Sequence, residues 1–166
     1  TGALRVLKVM MGYEYLWLQV RVKGGAYGCM CNFGKNGDSY FVSYRDPHLK
    51  RSIDVFDGIP DYLENFDVSE REMTKFVIGT MSNVDSPLTP AGKGSRDMLA
   101  LITHTTYEDT QKARNEIINC KKEDIKALAP LIKNALSDEN ICVIGNEAKI
   151  EENKSLFNET KNLFAS

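Results

Sequence analysis

Two hydrogen-bond donors suited to a carbonyl oxygen, Arg21 and Tyr27, stand six positions apart on either side of Gly24-Gly25. A guanidinium and a phenol held on adjoining rigid elements can both donate to one substrate oxygen. A donor aimed at an oxygen that becomes an oxyanion contributes about 2.7–4 kcal/mol of transition-state stabilisation. The same two residues also have an ordinary structural explanation. Arg21 falls in the last turn of a helix-like stretch, where a cation offsets the negative end of the helix dipole. Tyr27 opens a strand-like stretch, where aromatic residues are favoured. Residue types and spacing leave both explanations open.

Other chemistries find less support. The two histidines, His48 and His104, lie in neither an H-x-x-E-H nor an H-E-x-x-H arrangement. Both read as surface or capping residues, and no complete zinc site is expected in this sequence. No G-x-S-x-G elbow is present, and no serine or cysteine has a histidine placed to form a dyad. Gly92-Lys93-Gly94-Ser95 lacks the spacing of a phosphate-binding loop. Gly24-Gly25-x-x-Gly28 follows a helix and precedes a strand, the reverse of the order in a dinucleotide fingerprint. Of the four cysteines, Cys29 and Cys31 form a C-x-C pair with both thiols on one strand face, whereas Cys120 and Cys142 have no metal-ligand neighbour. All four are expected to be free, buried thiols of a reducing compartment. That points to a cytoplasmic chain, or an organellar one if the source is eukaryotic.

The elements that must position Arg21 and Tyr27 follow from composition and periodicity. A chain of 166 residues, 42% hydrophobic and 27% charged, has the make-up of one soluble globular domain. A net charge of -2, with both signs interspersed, argues against a nucleic-acid partner. Arg5, Lys8, Glu14, Gln19 and Arg21 interrupt the most apolar region, so no membrane span is expected, and no signal peptide is visible. The chain opens on Thr1-Gly2, so it is expected to be a piece of something longer.

From Ala3 to Lys23 two apolar lines recur every three to four residues. They predict one long, largely buried helix, ended by Gly24-Gly25. Ala26 to Phe33 and Ser39 to Arg45 alternate around a Gly34–Asp38 turn and predict a β-hairpin. Asp46-Pro47 reads as a helix start, and Ser69-x-x-Glu72 as a capping box that opens a helix to about Val84. Residues 86–94 read as a loop. Helices are expected at about 94–104, 107–119 and 122–136, with Thr106-x-x-Asp109 capping the second and Pro130 kinking the third. Ile141-Cys142-Val143-Ile144-Gly145 reads as a short buried strand. Leu156, Phe157, Leu163 and Phe164 are spaced for an amphipathic helix in the tail. The class is α+β, with helices on a mostly antiparallel sheet. Three strands are few for so many helices, so strands are expected to be missing at the N-terminal side.

The strings Tyr13-Glu14-Tyr15-Leu16-Trp17, Arg21-Val22-Lys23-Gly24-Gly25-Ala26-Tyr27-Gly28 and Ser43-Tyr44-Arg45-Asp46-Pro47 closely resemble the pitrilysin/insulinase family of zinc metallopeptidases. The match is best with the last part of its presequence-protease branch. Phe56-Asp57-Gly58, Ile78-Gly79-Thr80 and Ser86-Pro87-Leu88-Thr89-Pro90 support it, and the likeness fades after about Cys120.

The resemblance implies enzymes built of four related α+β domains that close around a chamber. Zinc sits on the first domain, on an H-x-x-E-H motif that this sequence lacks, and the last domain carries no metal. By carry-over, Tyr27 would hydrogen-bond the scissile carbonyl and Arg21 would hold the substrate beside it. Gly24 and Gly25 would shape the turn that aims both. Residues 1–166 would then be a partial, metal-free C-terminal domain, inactive alone. Its partners would be unfolded peptide substrates and the zinc-bearing N-terminal half of the same polypeptide. An inactive structural or substrate-presenting subunit is the alternative. Missing strands would leave a sheet edge through which the fragment self-associates.

Overall fold

In the computed structural model, which describes residues 1–34 and 36–163, the chain runs as α1 (Gly2–Tyr13), a π-helical segment (Trp17–Val22), β1 (Gly28–Phe33), β2 (Ser39–Tyr44), α2 (Leu49–Asp57), α3 (Ile59–Glu64), α4 (Glu70–Val84), α5 (Pro90–Ile102), α6 (Tyr107–Ile118), α7 (Lys122–Lys126), α8 (Ala129–Leu136) and α9 (Glu147–Glu152). The class is α+β, as the sequence predicts, and the described sheet is a single antiparallel hairpin. No described helix is long and apolar enough to cross a membrane.

Helix α1 is capped by Thr1, whose hydroxyl accepts the Leu4 N–H at 3.4 Å. Val6, Leu7, Met10 and Met11 recur on one helical face and are fully buried. Each such side chain contributes about 1.5–3 kcal/mol relative to exposure. Around this stripe pack β1, α4, α6 and α7. At the crossing with α6 the backbones come very close. The Gly2 N–H donates to Glu116 Oε2 at 2.7 Å, and a Cβ on Gly2 would lie 2.5 Å from the Glu116 Cβ.

The hairpin pairs Gly28 with Tyr44, Met30 with Val42 and Asn32 with Tyr40 on one face; Cys29 with Ser43, Cys31 with Phe41 and Phe33 with Ser39 occupy the other. The second set faces the helices: Cys31 is buried, and the Phe41 ring stacks on Phe56 of α2 at 6.0 Å. Met30, Tyr40, Val42 and Tyr44 face outward and are exposed.

Several elements depart from the sequence reading. The helix expected over 3–23 ends at Tyr13, breaks at Glu14 and resumes with π geometry. The extra residue in the π turn shifts the phase of the apolar lines. Val20 therefore points inward, while Trp17, Leu18 and Val22 are exposed instead of buried; Tyr13, at the end of α1 ahead of the π turn, is exposed as well. Asp46-Pro47 lies ahead of its helix: the Asp46 carboxylate accepts the His48 N–H at 2.9 Å and the Ser52 hydroxyl, and α2 starts at Leu49. This local Asx turn takes Pro47 out of the helical position. The expected loop at 86–94 yields to α5 at Pro90, because Thr89 caps it by accepting the Gly92 N–H at 3.1 Å.

Pro130 does not kink a long helix; it sits in the first turn of α8, after a break at Ala127-Leu128. Residues 141–145 form no strand, and Ile141 and Ile144 are exposed, since no described strand edge pairs with them. The tail helix is short: α9 and a 3₁₀ turn at Lys154–Leu156 leave Leu163 exposed, and Phe164 lies outside the described residues.

Burial also holds protons on weak acids. It pushes the Cys31 thiol from 9.0 up to about 12, against the pull of Lys8. It likewise raises Tyr62 to about 12 and Cys120 to about 11. Each group keeps its proton in the folded chain at a pH where the unfolded chain has lost it. The unfolded state then binds fewer protons, so stability falls as pH rises through and above the ordinary thiol value of 9.0. The urea midpoint should be flat below about pH 8 and decline from about pH 9 upward. The decline should be shallower in a Cys31→Ala, Cys120→Ala double variant. A midpoint that holds to about pH 11, or identical slopes in both proteins, would contradict this.

Candidate functional site

The junction between the π-helical segment and β1 is built from backbone. Lys23 N–H bonds the Leu18 carbonyl at 2.9 Å, five residues back, as π geometry requires. The amides of Gly25 and Ala26 then close over the helix end: Gly25 N–H bonds the Arg21 carbonyl, four residues back, at 2.8 Å, and Ala26 N–H the Val20 carbonyl, six back, at 3.2 Å. The pair has the nested form of a Schellman cap with each loop one residue longer. Arg51 of α2 donates through Nη1 to the Lys23 carbonyl at 2.9 Å, which satisfies another helix-end acceptor.

Both glycines are needed for stated reasons. Gly25 has φ of 77°, a left-handed value that side chains disfavour. Gly24 is buried, and a Cβ there would sit 2.3 Å from the Val20 carbonyl oxygen. The two reasons differ, one a matter of torsion and the other of space.

Arg21 lies in the last turn of the π segment and is half-buried. Its Cζ stands 4.0 Å from the centroid of the Trp17 ring, a cation–π stack from one turn earlier. Tyr27 sits just ahead of β1, not inside it, and is 65% exposed. Its N–H bonds the Arg45 carbonyl at 3.2 Å, which extends the hairpin ladder by one step. Its ring meets Tyr44 edge-on at 6.0 Å and 77°, and the Arg45 Cζ lies 5.7 Å from its centroid. The Cys29 thiol at the root of β1 is pushed up by burial first, with Arg21 opposing and Asp46 adding. Arg21 therefore acts at the base of the strand that Tyr27 introduces.

Among the described residues neither the Arg21 guanidinium nor the Tyr27 hydroxyl has a hydrogen-bond or ion-pair partner within the chain. Hollows of about 300 Å³, beside Arg5, Gly34 and Asp109, and about 450 Å³, beside Cys142, Phe157 and Glu159, lie elsewhere. Neither is lined by Arg21, Gly24, Gly25 or Tyr27.

The sequence reading singled out the two donors and the two glycines but not their supports. Trp17, Tyr44 and Arg45 surround the donors, and the signals for them were weak: four-residue helical spacing for Trp17, hairpin register for Tyr44. The remaining candidates do not join the site. His48 stands at the N-terminal boundary of α2 without a side-chain capping bond, and His104, at φ of 51°, follows α5. No group of three or more His, Cys, Asp or Glu side chains among the described residues is placed to hold a metal ion, so these residues do not fit a zinc site. The four thiols are unpaired, and Cys142 is exposed, unlike the buried thiol expected there.

Residues 1–147 match the family model of the PreP C-terminal domain. The chain belongs to that family. A protein of Clostridium perfringens named Protein HypA is 49% identical over 163 residues, 98% of this chain and 17% of that protein. Presequence protease 1, chloroplastic/mitochondrial, of Arabidopsis thaliana is 35% identical over 164 residues, 98% of this chain and 15% of that protein. The mitochondrial presequence protease of Schizosaccharomyces pombe is 32% identical over 127 residues, 76% of this chain and 12% of that protein. This PreP C-terminal domain chain thus spans about a sixth of the length of the first two of these curated relatives. Its Arg21–Tyr27 junction falls inside the residues matched to the family.

Substituting the two glycines separates their roles. Gly24→Ala should cost about 1–3 kcal/mol in urea unfolding, because a backbone oxygen cannot easily yield. Gly25→Ala should cost about 1–2 kcal/mol, and Gly25→Asn less, since asparagine tolerates left-handed torsions. Equal losses for Gly25→Ala and Gly25→Asn would remove the torsional explanation.

Proposed function

We propose that this chain is the metal-free, C-terminal part of a zinc peptidase that degrades unstructured peptides, and that its Arg21 and Tyr27 donate hydrogen bonds to the substrate in an active site completed by the rest of the polypeptide. The observation that carries the reading is the pair of uncommitted donors at the Gly24-Gly25 junction. A guanidinium stacked on an indole and a phenol held against a tyrosine and an arginine are pre-oriented, yet neither spends its N–H or O–H groups within the chain.

Attack on a peptide carbonyl converts a neutral acceptor into an oxyanion. A phenol and a cation bind the oxyanion more strongly than the carbonyl, so the interaction lowers the barrier instead of only tightening binding. Tyr27, the more exposed of the two, suits the oxygen itself. Arg21, half-buried in the last turn of its helix, suits the neighbouring backbone carbonyl of the same peptide. The metal ligands lie outside this chain, and unfolded presequence-like peptides, after the names of two relatives, are the substrate class. The compartment is the cytoplasm or, as those names suggest, an organelle.

In the full-length polypeptide, Tyr27→Phe and Arg21→Ala should each lower kcat by about 10²-fold, with bound zinc unchanged by elemental analysis. Normal turnover in both variants would overturn the assigned roles. The 166-residue chain by itself should leave an unstructured peptide uncut, and zinc-dependent cleavage by it would contradict the division of labour.

A further inference from the structure

We infer that Tyr44 and Arg45 are positioning residues for the Tyr27 phenol, holding its ring against a second aromatic ring and a guanidinium. The inference rests on the reading of Tyr27 as a substrate donor.

Tyr27 precedes β1 and is 65% exposed, and its aromatic and cation–π neighbours among the described residues are Tyr44 and Arg45. A phenol so exposed would sample several rotamers if only its backbone were held. The hairpin register places Tyr44 opposite Gly28, the residue after Tyr27, and the Tyr27 and Tyr44 rings meet edge-on with centroids 6.0 Å apart. Arg45 completes a compact triangle with the two rings, with its Cζ 5.7 Å from the Tyr27 ring centroid and 5.4 Å from that of Tyr44.

Arg45 also bears a conformational mark. Its φ is 49°, left-handed backbone that glycine enters freely and arginine does not. The conformation turns the chain out of β2 while its carbonyl still accepts the Tyr27 N–H at 3.2 Å. An arginine at a position where glycine would be easier implies a task for the side chain. That task is not an ion pair. Among the described residues the Arg45 guanidinium has no carboxylate partner, and the adjacent Asp46 is committed to the His48 N–H and the Ser52 hydroxyl. What the guanidinium touches is two phenol rings, and cation–π attraction to both keeps the Tyr27 ring in one place.

The test uses the full-length polypeptide. Arg45→Gly deletes the guanidinium while suiting the backbone, so its unfolding midpoint should hold or rise even as kcat falls. A donor displaced by about 1 Å loses up to about 10²-fold in rate, so a fall of ten- to a hundred-fold, on that order, is expected with KM little changed. Tyr44→Leu should fall likewise, and Tyr44→Phe, which keeps the ring edge, should restore most of the rate. In a Tyr27→Phe background, Arg45→Gly and Tyr44→Leu should lower kcat no further, since positioning matters only while the phenol is present. If Tyr27→Phe is impaired but Arg45→Gly and Tyr44→Leu turn over normally, the inference falls and the donor role stands. Losses that add fully to Tyr27→Phe would also overturn it. Normal turnover in Tyr27→Phe itself would overturn the donor role, and the inference with it. Should Tyr44→Leu fail to fold, Arg45→Gly decides alone.

Discussion

Burial of α1 is the constraint from which the other placements follow. Four large apolar side chains on one face of that helix are withdrawn from water, and the hairpin, α4, α6 and α7 are the surfaces that cover them. The helix governs both sides of the candidate site. Along the chain it leads through Glu14 into the segment that carries Arg21. Across space it supports β1, which Cys31 packs inward and which Lys8 ties by a 2.7 Å bond from Nζ to Asn32 Oδ1. The junction at Gly24-Gly25 is therefore held at both ends by the same helix. Its freedom to drift is small even though its two donors are on the surface.

The π geometry is the second determinant. A helix that continued from α1 without interruption would have kept the apolar lines in phase and rotated the last turn differently. Widening by one residue turns Val20 inward and sends Trp17, Leu18 and Val22 out, and the Ala26 amide still reaches six residues back, to the Val20 carbonyl. Such turns are less well packed than α-helix and are frequent at functional sites. Here the widened turn is the element that sets Arg21 over Trp17, and the crowding at Gly24 is where the chain accommodates it. Local irregularity and candidate function coincide, as expected where a sequence departs from its simplest local structure.

How much of this could be read in advance depended on how local the cause was. The hairpin was legible because alternation and a glycine-rich turn state it within twenty residues. The capping boxes at Ser69–Glu72 and Thr106–Asp109 are local reciprocal bonds and appear as expected. Asp46 was recognised as a cap, but not that its carboxylate would bond the His48 amide and delay the helix by two residues. The break at Glu14, the π turn and the unpaired run at 141–145 depend on what packs nearby, which periodicity does not encode. The same division runs through the site. Arg21 and Tyr27 could be named from residue type and spacing, whereas Trp17, Tyr44 and Arg45 became part of it only through phase, register and a left-handed backbone torsion.

The stack of Arg21 on Trp17 makes the site optically legible. Trp17 is the one tryptophan in the sequence, and its indole lies directly beneath the guanidinium that the proposed reading assigns to substrate. A peptide carbonyl that drew that cation aside would change the field across the indole and with it the colour and yield of its emission. The chain thus carries, without any label, a chromophore whose excited state is coupled to one of its two candidate contact residues.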